Sequence, residues 1–357
     1  MLQILSMATR LVRATFFPGQ VFVERGIFGQ SVNFEFRFQS DLTEIMELQE
    51  VIANGFDKQD HLLFRLPVTN WGTVPPIMTV PERKIEPGKI LEILNPFADF
   101  PLDYPIHRLD YEFEFRTEKG DHARPKVSVN LAVYEQKTVL VLPFVGTCLV
   151  TDGHDFLSHH RRNFPLTHRL IQQIGITANN SRFAYDFVVV NRELQMFKKT
   201  PCRNEDFFCW GEPVYCPGDG KIASASSDRP DNPLYDPPPF DLEAHVKDPD
   251  AAMKKHLGNY TIIDHGNDEF SILAHMQMDS VQVKAGAKAA KGELIGQIGN
   301  SGDSGFPHIH YQFQNGRDLR TSEGLPHKFQ RFDLIIGNTT RKVEGSFPNT
   351  GMIIKNE

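Results

Sequence analysis

A chain of 357 residues exceeds what one ordinary hydrophobic core requires and points to two domains. Its 40% hydrophobic and 23% charged residues are ordinary for a globular protein, and 24 Pro, 26 Gly and 28 Phe against 2 Trp favour short strands joined by turns. A net charge of −7 without a Lys/Arg-rich block gives nucleic-acid binding no electrostatic support, and the lack of any run of 18 apolar residues argues against a membrane-spanning helix.

The chain opens with MLQILSMATRLVRATFFPGQ, where Arg10 and Arg13 interrupt what would be the apolar core of a secretory signal; no clear signal peptide is read there. From about Phe16 to Pro143 short strands alternate with turns. In SVNFEFRFQ, Val32, Phe34, Phe36 and Phe38 alternate with polar neighbours, the period of a half-buried strand. YEFEFR and KVSVNLAVY repeat it, and TVLVLPFVG is a nearly continuous apolar strand. DLTEIMELQEVIANGF reads as a helix, with Leu42, Ile45, Met46, Leu48 and Ile52 on one side and Asn54-Gly55 as its C-cap. Residues 1–145 are therefore expected to form a β-sandwich-like accessory domain.

The character changes near 140–150. TDGHDFLSHHRRNFPLTHRL is crowded with histidines, and the strand SRFAYDFVVVN follows. DRPDNPLYDPPPFDLEAHVKDPDAA reads as a loop, because proline blocks both ladders and helix interiors. Its length makes it a candidate border of a functional groove. Strands resume with YTIIDHG, FSILAHM, SVQVKAG, ELIGQIG and HIHYQFQ. This second domain is expected over 146–345, mainly antiparallel β, with a tail over 346–357. Cys148 stands alone, while Cys202, Cys209 and Cys216 lack the Cys-x-x-Cys pair of structural zinc sites; a Cys202–Cys209 disulfide and free thiols both fit.

Several residues can do chemistry. His308 and His310, two apart in a strand, share a face with α-carbons about 6–7 Å apart, so one imidazole can bind a metal while the other meets the reacting group. With 14 histidines in the chain, such a pair is also expected by chance, and context must decide. The lead-in NSGDSGFP must turn sharply, with Gly302 and Gly305 free to take positive φ. VKAGAKAAKGELIGQIG would also suit a lipoyl or biotinyl carrier, but no modifiable lysine sits at a hairpin tip. Asp186, inside the apolar strand FAYDF, calls for a cation, a donor set or a metal. His275, in LAHM, lies among apolar residues, and His265, in DHG, reads as structural.

YTIIDHGNDEFSILAHMQMDSVQVKAGAKAAKGELIGQIGNSGDSGFPHIHYQFQNG resembles, along its length, the M23 (lysostaphin/LytM-like) zinc peptidases. They share the order of a His-Gly turn, a Tyr-x-His-Leu strand, a Gly-rich hairpin and Gly-x-His-x-His. GEPVYCPGDGKIASAS is similar to another segment of that family. The resemblance spans about 150–340. It implies Zn2+ as cofactor, Asp186 and His310 as ligands, His308 as catalytic histidine, and His275 as the histidine that donates to the oxyanion. It also implies endopeptidase action on peptidoglycan cross-link peptides and an extracytoplasmic location.

One position departs from the pattern. The family's remaining ligand is usually a histidine four residues before the aspartate, and Arg182 stands there. Either the site is broken and the chain is an inactive adaptor that binds or activates a partner hydrolase, or the ligand has moved upstream to His160 or His159. Adjacent residues in extended chain point opposite ways, so only one of the two can bind. His160 is preferred, with His168 and His154 behind.

Overall fold

The computed structural model describes residues 11–357 apart from 98, 157, 163, 164 and 240. The first ten residues of the leader-like stretch lie outside them. The chain divides into two compact units, Met1–Val133 and Tyr134–Glu357, and both are mainly antiparallel β. No helix among the described residues is long and apolar enough to cross a membrane.

In the first unit two sheets enclose an aromatic core. Strand Glu35–Ser40 lies between Val12–Phe17 and Ile90–Leu94. Its Phe36 and Phe38, with Phe34 just before it, point inward and meet Tyr111, Phe113 and Phe115 of strand Arg108–Arg116 in the larger sheet. The Phe36–Tyr111 and Phe38–Phe113 ring centroids are each 4.7 Å apart and edge-on, a favoured aromatic geometry. This is the sandwich that the alternating phenylalanines predict.

The helix expected over the MELQEVIANGF stretch is instead an 11-residue strand, Met46–Phe56, paired with Leu62–Thr69 on one side and Arg108–Arg116 on the other. A register shift between Leu48 and Glu50 breaks strict alternation, so Met46 and Leu48, then Val51 and Ala53, reach the core in a spacing that mimics a helix. Ile45, counted on the apolar helix face, is 48% exposed. Asn54 caps nothing: its Oδ1 accepts from Arg65 Nη1 at 2.9 Å.

The second unit is built on a ten-stranded sheet. Its centre runs Asn259–Asp264, Phe270–Met276, Ile309–Gln314, Tyr185–Val189, Gly146–Asp152, each antiparallel to the next. Strand Ile353–Asn356 extends it between Gly146–Asp152 and Phe329–Ile336. Strand alternation gives the sheet two unlike faces. Tyr185, Phe187, Tyr311 and Phe313 pack with His327 and Phe329 on one face. Asp186 and His310 occupy the intervening positions and point to the other.

The proline-rich stretch is only partly loop. Two short helices, Leu242–Lys247 and Pro249–Leu257, end it, begun by Asp241 and Asp248, whose carboxylates accept from Ala244 N and Ala251 N at 3.0 Å. Pro249 sits at the first helical position, where its missing N–H costs nothing. All four cysteines are free thiols, with Cys148, Cys209 and Cys216 buried and Cys202 exposed.

Candidate metal centre

Three neighbouring strands and one loop supply the site. Asp186 and His310 are direct register partners, and Ala274 pairs with His310 on its other side. Past Ala274 the ladder shifts register, and His275 takes φ 61°. A non-glycine residue with positive φ is uncommon, and here it re-aims the ring at the end of the strand. The two imidazoles of His275 and His308 lie 5.0 Å apart between centroids.

Below them the glycine-rich loop is pressed against the helix end. A Cβ on Gly302, at φ 76°, would lie 2.4 Å from His256 O and from Gly258 N, so only glycine fits. Gly305, also expected at positive φ, is not among the residues that adopt it.

His159 and His160 arrive from the loop after Gly146–Asp152. His160 is buried with its Nε2 3.5 Å from Asp186 Oδ1; His159 is 63% exposed with its Nε2 4.0 Å from Asp186 Oδ2. His159 Nδ1 is held by Asp152, and its backbone N donates to Asp152 Oδ2 at 2.9 Å. His159, His160, Asp186, His275, His308 and His310 line one cavity of about 620 Å³, with Ile171, Ile174, Met253 and Leu257 on an apolar wall.

Arg182 is elsewhere. It is fully buried, and its Nε donates to Glu323. His154, another candidate, lies in the aromatic core, its ring centroid 4.4 Å from Tyr185. His168 lines the cavity but accepts from Leu170 N at 3.3 Å as a helix cap. His265 is structural, its rings held by Asp219 O at 2.7 Å and Ser271 Oγ at 2.8 Å.

The proton inventory shows what the centre can hold. Gln312 Nε2 donates to Gln314 Oε1 at 2.6 Å, which turns Gln312 Oε1 toward His310 Nε2 at 2.9 Å. His310 Nε2 therefore carries hydrogen, and its Nδ1 lone pair faces Asp186 Oδ1 at 3.2 Å. His308 Nδ1 donates to Phe306 O at 2.8 Å, so its Nε2 lone pair faces the same oxygen at 3.4 Å. Three imidazole nitrogens thus approach one carboxylate oxygen at 3.2, 3.4 and 3.5 Å. Lone pairs facing a carboxylate repel unless a cation lies among them. Donors bound at 2.0–2.2 Å to one tetrahedral ion stand about 3.3–3.6 Å apart, longer than an ordinary hydrogen bond. The donor set of nitrogen and oxygen fits a divalent transition metal.

Charge follows the same pattern. Burial pushes His275 and His160 down to about 3, so both are neutral and able to coordinate or accept.

Two participants were not singled out from the sequence. Asp152, the register partner of Asp186, sits with His159, His160 and Asp186 in a cluster whose ligand atoms all lie within 4.8 Å. Nothing marked it in advance, since its partners come from a loop. Gln312 could have been found: it continues the period-two face of His308 and His310.

Comparison with known proteins agrees with this geometry. Residues 241–321 match the model of peptidase family M23. Peptidoglycan DD-endopeptidase ShyA of Vibrio cholerae serotype O1 is 39% identical over 57 residues, 16% of this chain and 13% of that protein. An uncharacterized metalloprotease of Haemophilus influenzae is 41% identical over 61 residues, 17% of this chain and 12% of its own. The matches thus take in about an eighth of each relative's length. A putative M23 peptidase structure from Pseudomonas aeruginosa aligns over 73% of this chain and 82% of its own at 13% identity and a TM-score of 0.27. The 241–321 segment, with the histidine motifs within it, is thus the part of the chain that matches peptidase family M23.

Proposed function

We propose that the chain is a zinc-dependent endopeptidase that hydrolyses amide bonds in peptidoglycan cross-link peptides. The observation that carries this reading is the convergence of three imidazole nitrogens on Asp186 Oδ1 at 3.2–3.5 Å, inside a cavity large enough for a peptide segment. His160, Asp186 and His310 would hold the metal through Nε2, a carboxylate oxygen and Nδ1. A zinc ion there would lower the pKa of a coordinated water towards ~7 and polarise the scissile carbonyl. The similarity to a peptidoglycan DD-endopeptidase supports this substrate class, and an extracytoplasmic location follows from such a substrate. The division into an accessory amino-terminal domain and a peptidase domain belongs to the same proposal.

His308 takes the proton of the attacking water at Nε2 and returns it to the leaving amine. Its Nδ1–H bond to Phe306 O fixes the tautomer that makes this possible. The donor role expected for His275 is revised. Its Nδ1 donates to Ser301 O at 2.8 Å, so its Nε2 carries hydrogen only in the cation, which burial opposes. His275 therefore orients the attacking water by accepting one of its hydrogens.

The adaptor reading rested on Arg182. With Arg182 committed to Glu323 and His160 beside Asp186, the geometry favours the enzyme. The test is digestion of purified peptidoglycan by the full chain, with metal content measured on the same sample. About one zinc per chain and new uncrosslinked muropeptides are expected. One zinc per chain with no cleavage would leave the adaptor.

A further inference from the structure

The start of the proline-rich stretch is laced to the glycine-rich loop that leads into His308. Asp231 and Ser301 form an isolated antiparallel bridge, and Asn232 N donates to Asn300 O at 2.8 Å. The Asp231 carboxylate accepts from Asn300 N at 2.7 Å and from Met278 N at 3.0 Å. The Asn232 side chain then reaches across the loop, where its Nδ2 donates to Gly302 O at 2.7 Å and to Ser304 O at 2.8 Å. Carbonyl oxygens only accept, so both hydrogens of this amide are committed and its orientation is settled by its partners.

Those two carbonyls lie between the groups that aim the histidines outside the ligand set. Ser301 O, one residue before Gly302, accepts from His275 Nδ1, and Phe306 O, two residues after Ser304, accepts from His308 Nδ1, each at 2.8 Å. One NH2 group therefore ties together the two arms of the turn from which both carbonyls project. A circuit of side chains closes around it. Ser304 Oγ donates to Asn300 Oδ1 at 2.7 Å, Asn300 Nδ2 to Asn204 Oδ1 at 3.0 Å, and Asn204 Nδ2 to Asn232 O at 2.8 Å. Asn300 and Ser304 are buried, and a buried polar circuit with its partners in place specifies one geometry.

We propose that Asn232 is a positioning residue that sets the aim of His275 and His308. It acts through the Ser301 and Phe306 carbonyls, at a distance from the reacting atoms. Its effect on rate rests on the peptidase reading, whereas its effect on the two rings does not.

The test compares the zinc-loaded full chain with Asn232→Ala. Imidazole 15N magnetic resonance, its signals assigned through His275→Ala and His308→Ala, reads the tautomers, and hydrolysis of soluble cross-linked muropeptides reads kcat and KM. Single Nδ1–H tautomers are expected at both rings of the wild type and mixtures in Asn232→Ala. The variant should lose about 10–100-fold in kcat with KM little changed and about one zinc per chain retained. Unaltered tautomers or an unaltered kcat in the folded variant overturns the proposal. Altered tautomers, with no cleavage by the wild type, uphold the positioning and count against the peptidase reading alone. Should Asn232→Ala not fold, Asn204→Ala, which removes only the outer support of the circuit, must shift the same two signals, and their constancy would equally overturn it.

Discussion

Asp186 and His310 face one another across two antiparallel strands, carboxylate oxygen to Nδ1 at 3.2 Å, with His310 Nε2 committed to Gln312. The outer contact decides which nitrogen points at the carboxylate. Gln312→Leu removes that constraint without touching a ligand. Zinc affinity, measured by competition with a chelator, is expected to fall about 10–100-fold, with the melting temperature of the metal-free chain little changed.

The same centre separates two adjacent histidines. His160 is buried and reaches Asp186 Oδ1, whereas His159 is exposed and held by Asp152. His160→Ala is expected to bring zinc content from about one per chain to near zero, while His159→Ala retains it. Retention in His160→Ala would refute the assignment of the displaced ligand.

How much of this was legible depended on the length scale of each signal. Phe34, Phe36 and Phe38 announce a strand, and His308, His310 and Asp186 announce a site, because period-two alternation is local. The strand Met46–Phe56 was misread because a bulge inside it gave its apolar residues helical spacing. The helices Leu242–Lys247 and Pro249–Leu257 were hidden by prolines that end up before and at the start of them. Arg182 posed the hardest question: its identity announced a missing ligand, but only a long-range contact with Glu323 shows what it does instead.

That contact carries a stability prediction. Arg182 is wholly enclosed, and the Glu323 side chain is 17% exposed. Removing one partner of a buried ion pair leaves an uncompensated charge, a loss of about 3–5 kcal/mol when fully enclosed. Because Glu323 retains some solvent, Arg182→Ala is expected near about 3 kcal/mol by denaturant unfolding. Zinc stoichiometry of the folded fraction stays unchanged, since Arg182 holds no part of the centre.

Acid should loosen this unit through its core histidines. Burial pushes His154 down to about 3 and His327 well below its ordinary value. In the unfolded chain both titrate near ~6.5. As pH falls below that value the unfolded state takes up protons that the folded state refuses, so stability declines and, for His154, levels off only below about 3. Urea midpoints of chelated protein at about pH 7 and about pH 5 should differ, and His154→Leu should make the difference smaller.

The catalytic assignments divide cleanly from the ligand assignments in a kinetic test. His308 and His275 both lie in the cavity with their Nδ1 atoms donating to backbone carbonyls, of Phe306 and Ser301. On the proposed assignment neither holds the ion, so His308→Ala and His275→Ala should each keep about one zinc per chain. Loss of a positioned acid–base group typically costs about 10²–10⁴ in rate, and His308→Ala should fall in that range in kcat. His275→Ala should lose less. Alanine at φ 61° keeps the local strain, whereas asparagine is tolerated there. His275→Asn is therefore expected to match the wild-type melting temperature while remaining impaired in hydrolysis. If it regains full activity, the histidine serves the bend of the strand and not the water.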